Sequence, residues 1–142
     1  MITLTGRFDT PADAAALLAL HGGPEALAAV PTLRGVRRDA SGGIRAAFSP
    51  RGTFVPMPFA LTVSVERASA TGAQLAVRAT RGQTAVDVQL RLGFEPSTSG
   101  TTVSWAADVS VRGTGATVGQ RVVRDLVYAA IDEILRDTAA VA

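Results

Sequence analysis

In the stretch TAVDVQLRLGFE, Val86, Val88, Leu90, Leu92 and Phe94 alternate with Asp87, Gln89, Arg91 and Glu95. Successive side chains leave a strand on opposite sides, so alternation sustained over this length predicts a strand with one apolar and one polar face. The same phase runs through TVSWAADVSVR, where Val103, Trp105, Ala107, Val109 and Val111 oppose Ser104, Asp108, Ser110 and Arg112. It recurs in ITLTGRF, and in FVPMPFALTVSVE, where Val55, Met57, Phe59, Leu61, Val63 and Val65 fall in register. Shorter candidates span residues 33–38, 44–49 and 74–80. Strands with a single apolar face belong in an antiparallel sheet whose greasy side is covered by another layer. Between these runs, ASGG, ATGA and PSTSG supply the residues that permit hairpin turns. Pro56 and Pro58 share the polar phase and cannot donate to a ladder, which predicts an edge or bulged segment there.

Helical patterns lie near the two ends. TPADAAALLALHGGPEALAAVP reads as two short helices, with Thr10 as N-cap, Pro11 at the first helical position, a break at Gly22 and Gly23, and Pro24 opening the second piece. A long helix is predicted over residues 116–139, with Val123, Leu126, Val127, Ala130 and Ile134 on one face and Arg121, Asp125, Tyr128, Asp132 and Arg136 opposite. Only this helix is long enough to cover the sheet, which should curve around it. The expected architecture is α+β: one strand, two short helices, about six antiparallel strands and a long C-terminal helix packed on a curved sheet. The 142 residues read as one domain.

Composition narrows the chemistry. The chain has no cysteine and a single histidine, His21, which excludes thiolate chemistry and argues against a His-cluster metal site. No apolar run is long enough to span a bilayer, and the opening MITLTGRFDT lacks a basic flank followed by an apolar core, so a cytoplasmic protein is expected. All basic residues are arginine, and the net charge is only +2. Five of those arginines, Arg34, Arg37, Arg38, Arg45 and Arg51, face one acid, Asp39, in a single segment. That segment reads either as the solvated face of a hairpin or as a patch for an anionic partner or membrane surface. Interleaved aromatics for stacking on bases are missing, which argues against nucleic acid.

The glycines of VRGTGATVGQRVVRDL invite a phosphate-loop reading. A Walker loop ends in Gly-Lys-Ser/Thr, whereas Gly119 precedes Gln120 and the chain has no lysine. A dinucleotide fingerprint needs a third glycine where Val118 stands, and a parallel strand afterwards. The segment therefore reads as the turn from the last strand into the long helix, with Gly113 and Gly115 reversing the chain and Gly119 allowing close helix–sheet approach.

Three segments together resemble a known family. LTGRFDTPADAAALLA is similar to the opening of the carbon monoxide dehydrogenase subunit (CoxG) family, a branch of the START-like (SRPBCC, helix-grip) superfamily. PRGTFVPMPFALTVSVE resembles its Gly-Thr-Phe strand, and GTTVSWAADVSVRGTGATVGQRVVRDLVYAAIDEIL its last strand, glycine turn and final helix. The chain departs from the family at VPTLRGVRR, where a Pro-Gly-Cys turn is usual, and its fifth and sixth strands lack a Gly-rich stretch. The resemblance implies a helix-grip fold with a deep apolar cavity for lipid-like or polycyclic ligands. It further implies service to a molybdenum hydroxylase of the carbon monoxide dehydrogenase type, through membrane recruitment or handling of a quinone-like acceptor.

Catalysis requires inward acids, bases or tyrosines, and Asp87, Glu95 and Asp108 all take the outward phase, while Tyr128 falls on the helix's expected solvent side. No catalytic or metal-binding residue is assigned and no cofactor is expected. The expected cavity lining is Val55, Met57, Phe59, Val77, Val88, Leu90, Val103 and Trp105, roofed by Val123, Val127 and Ala130. Arg81, at the end of its strand, is the one candidate polar contact for a ligand. Alternation alone does not separate a ligand cavity from a packed core. Two function classes stay open: a non-catalytic carrier of an apolar small molecule (lipid, isoprenoid or quinone-like), and an accessory protein docking through its arginines on a partner enzyme or the inner membrane face.

Overall fold

The computed structural model describes residues 1–19, 24–49, 58–113 and 120–142, without the side chains of residues 24 and 120–123. His21, Arg51, Val55, Met57, Gly115 and Gly119 lie outside the described residues, as does the side chain of Val123. The elements follow in the order β1 (Ile2–Thr10), α1 (Ala14–Ala19), α2 (Pro24–Leu27), β2 (Leu33–Arg38), β3 (Ile44–Phe48), β4 (Phe59–Ser69), β5 (Gly72–Arg81), β6 (Thr84–Ser97), β7 (Gly100–Arg112) and α3 (Gln120–Ala140). The strands form one curved antiparallel sheet in the order β1-β7-β6-β5-β4-β3-β2. Every step but one is a hairpin between chain neighbours, and β7 closes the other side by pairing with β1.

Register turns the alternation into continuous apolar rows on the inner face. One row runs Ile2, Val109, Val88, Val77, Val63, Ile44; the next runs Leu4, Ala107, Leu90, Leu75, Val65. A slip of one residue on any strand would send its whole series to water, so burial pins the register. The core centres on β1, β6 and β7, where Leu4, Phe8, Leu90, Val103, Ala107 and Val109 are buried together with Ala139 of α3. The outer face carries ion pairs instead. Asp87 lies between Arg78 and Arg112, and Asp108 accepts from Arg91 (3.0 Å) and from the Thr3 hydroxyl (3.1 Å).

Several expectations are corrected. Thr10 is the buried last residue of β1, and Asp13 caps α1: its Oδ1 accepts from the Ala16 amide at 2.7 Å. The helix thus starts after the proline rather than on it. β4 begins after Pro58 and lies inside the sheet order, so Pro58 precedes the ladder instead of marking an edge; the described irregularity in β4 lies between Val65 and Arg67. On α3 the sheet-facing stripe is Val127, Ile131 and Leu135. Leu126, expected inside, is 59% exposed. Gly113 follows β7 with φ +84°, and a Cβ there would collide with the Gln83 carbonyl oxygen. That position accepts only glycine, and it begins the turn away from the sheet.

Candidate ligand cavity

Between the inner face and the helices lies an apolar cavity of about 210 Å³. Its floor comes from strand positions in the inward phase: Ile44 and Ala46 of β3, Leu61, Val63 and Val65 of β4, Leu75 and Val77 of β5, and Val88, Leu90, Leu92 and Phe94 of β6. Phe8 and Val103 close the β1–β7 side. Leu17 and Leu18 of α1 and Leu27 of α2 form one part of the roof, and Ile131, Ile134, Leu135, Thr138 and Ala139 of α3 the other. Thr138 carries the only polar side chain among these lining residues. Hydrocarbon moved from water into such a space gains roughly 25 cal/mol for each Å² of apolar surface removed from solvent, and nothing in the wall compensates a buried charge.

Four of the expected lining residues, Val77, Val88, Leu90 and Val103, border this cavity. The roof comes from the C-terminal half of α3 rather than from Val127 and Ala130, which lie nearer its start and do not border the space. Leu17, Leu18 and Leu27 were not singled out by alternation because they sit on short helices, although ALLAL is the sequence signal for an apolar face there. Phe59 and Arg81 stand together at the ends of β4 and β5, outside the lining. The Arg81 guanidinium carbon lies 4.9 Å over the Phe59 ring, a cation–π contact that leaves the arginine's donors directed to solvent.

Trp105 is 2% exposed but lies beside the cavity, not in its wall. Its indole covers Gly6, the residue opposite it on β1, and its ring centroid is 5.3 Å from that of Tyr128 on α3. Tyr128 therefore packs toward the sheet, contrary to its expected solvent side, while remaining 40% exposed. Two turns on, the Arg136 guanidinium lies 5.1 Å over the Phe8 ring and its Nε donates to Asp132 Oδ2 at 2.8 Å. This side of α3 thus packs along β1 through aromatic and cation–π contacts, and the adjacent side faces the cavity.

Charged groups stay outside. The Arg91 hydrogen bond, followed by that of Thr3, holds the Asp108 carboxyl below its ordinary value. In the β2–β3 turn, Asp39 accepts from the Ser41 hydroxyl and from the amides of Ser41 and Gly43, and its pKa is lowered with the Ser41 hydroxyl bond as the main cause. Among the described residues no three His, Cys, Asp or Glu side chains gather as a metal site would require, and no helix is long and apolar enough to cross a membrane.

The profile of the carbon monoxide dehydrogenase subunit (CoxG) family matches residues 6–142. The chain belongs to the CoxG family. A search of curated proteins finds no match. Solved structures similar to this CoxG member include a conserved protein from Geobacillus kaustophilus, with a TM-score of 0.78 at 13% identity over 97% of this chain and 93% of that one. A START superfamily protein from Mycobacterium smegmatis gives 0.68 at 15% identity, over 96% and 94% of the two chains. A protein from Rhodobacter sphaeroides gives 0.60 at 21% identity, over 95% and 88%. At these identities the likeness establishes the fold: this CoxG chain is START-like, an α+β sheet gripping its last helix.

Proposed function

We propose that this CoxG-family protein is a non-catalytic carrier that holds an apolar small molecule, a lipid, an isoprenoid or a quinone-like compound, between α3 and the sheet. The observation that carries this reading is the cavity of about 210 Å³ whose lining has one polar side chain, Thr138. A volume above the roughly 150 Å³ that accepts benzene in an engineered apolar cavity suits a ring or several methylenes of a longer chain. Val77, Val88, Leu90 and Val103 would contact the hydrocarbon, and Arg81, held on Phe59 at the strand end, would meet a carbonyl or carboxylate that stays outside. The family is named for carbon monoxide dehydrogenase, which supports a working place beside a molybdenum hydroxylase of that type.

The test is a native mass spectrum and an organic extract of protein purified without detergent. A stoichiometric lipophile, displaced by quinone analogues that raise the melting temperature, is the expected result. A clean apo spectrum with no thermal shift from any analogue would reject the carrier.

A second reading is favoured by one feature of the β2–β3 hairpin. Arg37 sits directly opposite Arg45, and Arg34, Arg37 and Arg38 are half-buried or exposed on the same short strand. Like charges facing across a ladder are unfavourable unless an anion neutralises them. This hairpin is therefore proposed to dock on an anionic membrane surface, which would also bring the cavity to its lipophile.

A further inference from the structure

On the β1 side of α3, two buried polar atoms have no hydrogen-bond partner: Trp105 Nε1 and Asp132 Oδ1. Neighbouring contacts place them on the same strip of the interface. Tyr128, one turn before Asp132, packs on Trp105; Arg136, one turn after it, packs on Phe8. The strip beneath Asp132 is thus the stretch of β1 from Gly6 to Phe8, and the indole nitrogen lies over Gly6. We propose that this interface binds one hydroxyl oxygen, which accepts from the Trp105 N–H and donates to Asp132 Oδ1.

The chemistry selects that class. An indole N–H only donates, and a carboxylate oxygen only accepts. Asp132 Oδ2 is already engaged by Arg136, so Oδ1 is the acceptor that remains. A carbonyl satisfies the indole and repels the carboxylate; an ammonium does the reverse; a hydrocarbon serves neither. A hydroxyl serves both with a single atom. It comes from one of two sources, an ordered water or the alcohol end of a lipophile whose tail fills the cavity. The second is geometrically open because Leu92, opposite Trp105 on β6, and Ile131, next to Asp132, both line that cavity. Only this second source rests on the carrier reading above.

Crystal structures of the full chain, stripped of lipophiles and then soaked with 1-dodecanol or with dodecane, test the proposal. An oxygen within hydrogen-bond reach of both atoms is expected. A peak unchanged by either probe identifies water; a peak continuous with the dodecanol chain identifies the ligand source. A direct Trp105–Asp132 bond, or two atoms with nothing between them, would overturn the proposal. Dodecane seated in the cavity with no oxygen at the interface sinks this inference alone. An ordered oxygen with neither probe bound sinks the carrier alone.

Solution data use Trp105 as the sole indole of the chain. Asp132→Ala should speed exchange of its N–H several-fold, and unchanged exchange counts against the site. Under the ligand source, Trp105→Phe should weaken dodecanol roughly tenfold relative to dodecane, as expected for one hydrogen bond; under the water source that ratio stays put.

Discussion

The indole of Trp105 rests on the bare backbone of Gly6, so that a Cβ at Gly6 would lie 2.5 Å from both Nε1 and Cε2. The ring is fully enclosed, with Tyr128 on its other flank, and has little room to retreat. Gly6→Ala should therefore lower unfolding free energy by about 1–3 kcal/mol, the range for overpacked cores. Urea titration followed by the emission of this one tryptophan measures it, and an unchanged midpoint would mean that the ring slides freely.

Val77 borders the cavity from the middle of β5 and faces open space instead of a packed neighbour. Val77→Phe should place its ring in that space, shifting stability by no more than about 1 kcal/mol where existing volume takes the added atoms. Dodecane binding, followed by calorimetry, should fall at least roughly tenfold, or about 1.4 kcal/mol. Retained binding with a filled cavity would place the ligand elsewhere.

Arg136 links α3 to β1 twice, through the Phe8 ring and through Asp132. Its side chain is 53% exposed, so solvent screens the ion pair and the whole arrangement should contribute only about 1 kcal/mol. A double-mutant cycle of Arg136→Gln with Phe8→Leu isolates the ring contact. A coupling energy of zero would show that the stacked geometry carries no weight in solution.

Asp108 has a carboxyl held below its ordinary value of 3.8, first by Arg91 and then by Thr3. A group depressed in the folded state adds stability above its unfolded pKa and loses it as pH falls through the folded one. Wild-type protein should thus lose stability on acidification below about pH 4, and Asp108→Asn should flatten that limb of a denaturation profile. Parallel profiles for the two proteins would remove Asp108 from the acid response.

Arg37 and Arg45, facing each other across the β2–β3 ladder, should drive adsorption to anionic vesicles if the hairpin docks on a membrane. Changing both to glutamate should abolish co-sedimentation at low salt. In wild-type protein the association should weaken steeply as the screening length shrinks to about 10 Å near 0.1 M salt. Vesicle binding indifferent to both changes would assign the hairpin a purely solvated role.

Much of this architecture can be read from period alone. Val86 to Phe94 by twos, and Val103 to Val111 by twos, specify inward faces that the register then aligns into rows. The position of α3 is another matter. Apolar residues surround that helix (Leu126, Val127, Tyr128, Ala130, Ile131, Ile134 and Leu135 cover most of its circumference), so more than one stripe satisfies a period of 3.6. The sheet breaks the tie, exposing Leu126 and turning Ile131 and Leu135 inward. For the same reason the inward phase of Trp105 was legible and its neighbour was not. Whether an inward residue meets a helix or a hollow depends on where the helix crosses the sheet. The α1 start is a local lesson: Thr10 and Asp13 are both good caps, and the β1–β7 ladder, which holds Thr10 in extended backbone, leaves the role to Asp13.

The hollow has two ceilings of unequal strength. α3 is tied along β1 through Trp105, Tyr128, Phe8 and Arg136, whereas Leu17, Leu18 and Leu27 belong to helices of six and four residues. Short helices open locally at far lower free energy than a core-anchored one. A guest would accordingly come and go through the flimsy shutter of α1 and α2, with the sturdier beam left undisturbed, so exchange kinetics and global melting should respond to different mutations.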